Sequence, residues 1–168
     1  MIHAVSSAPR HSVRGSRFAD ESAAHQAVAL ALPMLQQAVH QPEVCGSGFL
    51  AIVVLDPGLS PADASFDSAV LLEHTIGDRQ RWDADYTTFA RAKARLSWES
   101  GQDTQRLQAL GAHRLRTGDS VLGGGVWLDG IVVGVSGAFP WYDEAFALAI
   151  AANLRAIARQ RRLAATTG

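Results

Sequence analysis

The chain has 168 residues, 48% hydrophobic and 18% charged, and a net charge of −1 from 15 basic and 16 acidic side chains. That length suits one domain, the apolar content excludes disorder throughout, and the charge balance excludes an electrostatic nucleic-acid binder, which needs a basic excess. The lone cysteine, Cys45, excludes an intrachain disulfide framework and a cysteine-based zinc site, and Lys93 is the only lysine beside fourteen arginines.

From Met1 to Ala19 the sequence is polar, with His3, Arg10, His11, Arg14 and Arg17 spread along it. It lacks the apolar run of roughly 7–15 residues behind a basic start that a signal peptide needs, and residues 1–19 read as a flexible tail. A single domain is expected over 20–163, with a second flexible end at 164–168. No uncharged apolar stretch approaches the roughly 20 residues that span a membrane. The expected location is the cytoplasm, with no membrane or nucleic-acid partner.

The first helix is expected from Asp20 to His40. Val28, Leu32, Leu35 and Val39 share one face, Asp20 or Ser22 caps the start, and Pro33 should kink or divide it. Gly48 to Asp56 is a short apolar, β-branched run ended by Pro57, which predicts a strand buried on both faces or nearly so. Pro57 to Ser65 reads as a loop, and Asp67 to about His74 as a second strand. A helix should then run from Asp83 or Asp85 to about Trp98, with Trp82, Tyr86, Phe89, Lys93 and Leu96 on one face. Asp103 should cap a shorter helix ending near Gly111. Val126–Leu128 and Ile131–Val133 flank Asp129-Gly130, a strong hairpin signal because both turn positions need positive φ. The last helix should start near Tyr142 or Asp143 and reach about Arg162, burying Phe146, Ile150, Leu154 and Ile157. Arg155, Arg159, Arg161 and Arg162 should favour its C-terminal end.

The order α-β-β-α-α-β-β-α predicts an α+β domain with an antiparallel or mixed sheet and helices packed on it, rather than a doubly wound nucleotide fold. Gly123-Gly124-Gly125 is not a phosphate loop, because a strand and not a helix follows it. Gly134-Val135-Ser136-Gly137-Ala138 fails as a nucleophile elbow at Ala138, where glycine is needed. Cys45 has no activating neighbour. His25, His40, His74 and His113 form no i, i+4 pair, although an axial haem ligand needs only one imidazole. Asp143 and Glu144 read as helix-start carboxylates or as groups facing a pocket. Lys93 lies on an apolar helix face, where it must snorkel, pair with an acid or bond to carbonyl oxygens. In a chain that otherwise uses arginine, it points to a position needing a compact ammonium, structural or ligand-facing.

Several stretches together resemble the GlcG/HbpS-like haem-binding (haem-degrading) domain family. They are Arg91-Ala92-Lys93-Ala94, Gly124-Gly125-Val126-Trp127, Asp129-Gly130, Val133-Gly134-Val135-Ser136-Gly137-Ala138 and Asp143-Glu144. Ala51 to Asp56 fits that family's first strand, and the helix led by Trp82, with Ser100 behind it, looks closer to a sister branch. The resemblance implies a profilin-like domain with about five strands, usually self-associated, binding haem or another small molecule. The sequence departs from the pattern at Trp98 and Glu99, and at Phe139-Pro140-Trp141-Tyr142, whose bulk can alter or close a pocket. No histidine falls on a matched motif position.

The leading expectation is therefore a small-ligand-binding module, with haem or another tetrapyrrole the implied cofactor class. Its expected site residues are Lys93, Gly124, Gly125, Ser136, Gly137 and Asp143, with no metal site of their own. Two alternatives stay open: a homo-oligomeric scaffold or assembly factor without ligand, and an enzyme using Lys93 as a base or Schiff-base amine.

Overall fold

The computed structural model describes residues 15–167. Of the expected N-terminal tail, residues 1–14 lie outside the described residues. Residues 15–19 are tied down: the Ser16 N–H donates to the Asp56 carboxylate at 2.8 Å, and Ala19 is buried.

Helix α1 (Glu21–Ala38) starts on Asp20, whose side chain accepts the Ala23 N–H at 2.9 Å. Its buried stripe is Ala23, Ala24, Ala27, Val28, Ala31, Leu35 and Ala38. Pro33 does not divide the helix. Pro33 and Ala29, which loses its amide partner, both lie on the exposed face, where water can satisfy the freed carbonyl.

Strand β1 (Leu50–Leu55) is buried along its whole length, as expected. Side chains alternate across a strand, so Leu50, Ile52 and Val54 face one apolar layer and Ala51, Val53 and Leu55 the other. The first layer contains α1 and α5, and the second contains α3. The sheet thus lies between helices, which is why β1 carries no polar residue.

The expected second strand is divided. Phe66–Ala69 forms a one-turn helix, α2, capped by Ser65, and β2 (Val70–Ile76) follows. Helix α3 (Tyr86–Ser100) starts on Asp85, which accepts the Thr88 N–H. Its buried residues are Ala90, Lys93, Ala94, Leu96, Ser97 and Trp98, whereas Phe89, expected on that face, is 41% exposed. Helix α4 (Thr104–Leu110) has no side-chain cap. Asp103, expected to cap it, instead accepts the Trp127 N–H at 2.8 Å and ties the helix start to the sheet edge.

Strands β3 (Gly125–Leu128) and β4 (Ile131–Ser136) form the expected hairpin, with Asp129 at φ 51° and Gly130 at φ 89°. The sheet has four strands in the order β2-β1-β4-β3, every pair antiparallel, rather than about five. Helix α5 (Pro140–Thr166) begins at Pro140, which needs no N–H partner in the first turn, and extends past the expected boundary. Its arginines do not sit in the last turn. Arg155 pairs with Asp129 of the hairpin turn, and Arg161 with Asp20 at the start of α1. Among the described residues no helix is long and apolar enough to cross a membrane.

Candidate functional site

Helix α3 reaches the sheet because small residues face each other across the contact. A Cβ on Gly134 of β4 would stand 2.3 Å from the Ala90 carbonyl oxygen, and one on Gly125 of β3 would stand 2.3 Å from the Lys93 carbonyl oxygen. With the helix axis this close, the Lys93 side chain cannot escape to solvent and is 2% exposed. Its ammonium donates to Asp143 Oδ2 at 2.8 Å, to the Val135 carbonyl at 3.0 Å and to Ser136 Oγ at 3.3 Å. Three donors therefore meet three acceptors, which is what a buried ammonium requires.

Asp143 is 1% exposed. Its second oxygen accepts the Ala138 N–H at 2.9 Å, holding the turn between β4 and α5. Burial pushes its carboxyl up to about 6, and Lys93 and the backbone amides of Ala138 and Gly137 pull against that shift. Gly124, at φ 121°, adopts a backbone conformation open to glycine, and a Cβ there would stand 2.6 Å from the Val135 oxygen and 3.1 Å from Lys93 Nζ.

Lys93, Gly124, Ser136 and Asp143 thus meet at one point, with Gly125 pressed against the Lys93 backbone and Gly137 in the adjoining turn. Gly137 connects this group to the next feature. Its carbonyl accepts the Ser47 hydroxyl at 2.7 Å and the Cys45 thiol at 3.4 Å, and a Cβ on it would lie 2.0 Å from the Phe49 carbonyl oxygen. Cys45, read from sequence as an unremarkable loop thiol, is buried and also donates to the Phe49 carbonyl.

The loop held in this way walls a cleft of about 720 Å³ between the end of α1 and the β1–β2 edge. Val39, Phe49 and Ile76 supply apolar surface, with His40, Asp78 and Arg81 at its polar positions. Behind Phe49 stand Trp82 and Tyr86, packed edge to face with ring centres 5.3 Å apart. None of the six expected site residues lines this cleft.

His40 is one of four histidines that the sequence does not distinguish, and Phe49, Ile76 and Arg81 were not expected as lining residues. No local signal groups them, because they come from a helix end, two strand ends and a short 3-10 turn. Of the other histidines, His25 lies beside Glu21 and His113 is exposed. His74 sits on β2, where burial, and secondarily His25, hold its imidazole below the ordinary value of 6.5. Phe139 and Trp141 stack at 5.3 Å on the surface, 38% and 65% exposed, and Tyr142 of the same stretch lines a further cleft beside α1. Among the described residues no group of three or more His, Cys, Asp or Glu is placed to hold a metal ion.

No protein-family model and no curated protein matches the sequence. Solved structures do. A Klebsiella pneumoniae protein, ORFY, of the DUF336 family is similar at a TM-score of 0.50 and 18% identity, over 89% of this chain and 97% of that one. A PduOC–haem complex is similar at 0.47 and 16%, over 83% and 95%. HbpS is similar at 0.49 and 22%, over 87% and 97%. The likeness to ORFY shows a shared fold, in agreement with the α+β architecture expected from the family resemblance.

Proposed function

We propose that this chain is a small-ligand-binding module that takes its ligand in the cleft beside His40, with haem or another tetrapyrrole as the ligand class. The cleft carries this reading. Its volume of about 720 Å³ lies within the roughly 300–1,000 Å³ typical of small-molecule sites. Its lining also fits the chemistry. A tetrapyrrole bearing carboxylates is suited by apolar surface for the ring, a cation for the carboxylates and, for a bound metal, a ligand such as imidazole. Phe49 and Ile76, Arg81, and His40 are of those three kinds. Haem would supply an iron centre with an open position for a ligand. The chain's residues would shield the ring, orient it through Arg81 and offer the His40 imidazole.

In this reading Lys93, Gly124, Gly125, Ser136, Gly137 and Asp143 serve the ligand indirectly. They fix the end of β4, and through Gly137 they fix the Ser47–Phe49 wall. Haemin titration of the full chain tests the proposal. A saturable Soret shift that His40→Ala abolishes is expected. Absence of a saturable shift, or a shift retained in His40→Ala, overturns it.

A second reading, a self-associating scaffold without ligand in the cytoplasm, is favoured by the exposed Phe139–Trp141 stack, since aromatic residues are enriched at interfaces. Light scattering separates the two. An oligomer that Trp141→Ser dissociates, in a protein that takes no haemin, selects the scaffold.

A further inference from the structure

A separate cleft of about 310 Å³ opens between the C-terminal end of α3, α4 and the turn that follows. Its floor is apolar: Leu96 and Leu107 are 6% and 1% exposed. Its rim carries two guanidinium groups, Arg114 and Arg116, and two carboxylates, Glu99 and Asp119. Opposite charges around one small opening would ordinarily pair. Here none of the four takes part in an ion pair among the described residues. Asp119 is held in place by accepting the Arg116 backbone N–H at 2.7 Å, which leaves the Arg116 side chain uncommitted.

The Ser100 hydroxyl, also at this cleft, is shielded from solvent and has no hydrogen-bond partner.

From this arrangement we infer that the cleft binds a small zwitterion, a carboxylate and an ammonium carried on a short apolar body, as in an aliphatic α-amino acid. The carboxylate meets Arg114 and Arg116, whose forked donors suit it. The ammonium meets Glu99, and the apolar body lies over Leu96 and Leu107. A plain carboxylate would leave Glu99 unmatched, and a plain amine would leave the arginines unmatched.

Three probes of equal apolar length test this on the full chain, followed by amide NMR shifts: norleucine, hexanoate and pentylamine. Norleucine should give saturable shifts centred on Ser100 and Leu107 and bind about tenfold more tightly than either single-charge probe. Glu99→Gln should remove the preference over hexanoate, and Arg114→Gln should remove the preference over pentylamine. Both positions are exposed, so both variants should keep the parent's thermal midpoint. No saturable norleucine shift, equal or tighter binding of hexanoate, or preferences unaltered in the two variants would overturn the assignment.

Discussion

Lys93 and Asp143 stand fifty positions apart in the chain and 2.8 Å apart in the fold, both almost wholly removed from water. A pair this deeply buried contributes little net stability as a unit, because desolvation offsets its attraction. Removing one partner alone strands the other charge. Lys93→Met should therefore cost about 3–5 kcal/mol, and the double variant Lys93→Met/Asp143→Leu should recover much of that loss. Urea unfolding of the two single variants and the double variant measures the coupling. Additive losses would show that the two side chains do not act together.

The same carboxylate sets a pH dependence. Its folded value of about 6 lies above the ordinary 3.8, so the fold binds this proton more tightly than the unfolded chain does. The stabilisation from Asp143 is fully present below the unfolded value and is lost as pH rises through the folded one. Its contribution to the urea midpoint should fall between about pH 4 and pH 6. Asp143→Asn, whatever its absolute stability, should lack that fall. An identical slope in the variant would count against it.

His74 acts with the opposite sign. Burial holds its folded value below 6.5, with His25 adding to the shift. Its stabilisation is present above 6.5 and is lost as pH drops through the folded value, where the imidazole must charge inside the sheet edge. His74→Gln should flatten the loss of thermal midpoint on acidification below neutrality. The midpoints of parent and variant between pH 7.5 and pH 5, about the range in which histidine titrates, decide it.

Two glycines separate steric from conformational cost. At Gly134 an added methyl would press on the Ala90 carbonyl and on Ala94, and would push α3 off the sheet. Gly130→Ala meets no atom within 4 Å and is penalised only through its φ of 89°. Gly130→Ala should cost about 1–2 kcal/mol. Gly134→Ala should cost more, up to about 3 kcal/mol or beyond, since backbone cannot step aside as a flexible side chain can. Chemical denaturation of the two variants ranks them, and the reverse order would contradict this account of the α3 contact.

Much of the fold was legible because its signals are local. The apolar run within Gly48 to Asp56 implied a doubly covered strand, Asp129-Gly130 implied the hairpin, and the stripe Phe146, Ile150, Leu154 and Ile157 implied the buried face of the last helix. The errors arose where tertiary contacts outbid a local rule. Asp103 has a cap's chemistry, yet it is drawn to the Trp127 amide. Phe89 was expected on the buried stripe, yet the alanine face of α3 is the one that fits against glycine strands.

The candidate sites divide in the same way. Composition and periodicity alone determined that one lysine lies on an apolar helix face and must find partners there, because a buried ammonium without acceptors is too costly to persist. Which acceptors it finds was decided only by the packing of α3 on β4 and the entry of α5 behind the strand. Both clefts are likewise products of the tertiary structure. His40 with Arg81, and Ser100 with Arg114 and Arg116, come from elements whose residues share no spacing in the chain. Hydrophobic pattern acts over a few residues and selects helix or strand. A cavity is the space left between finished elements, so it exists only after they have docked.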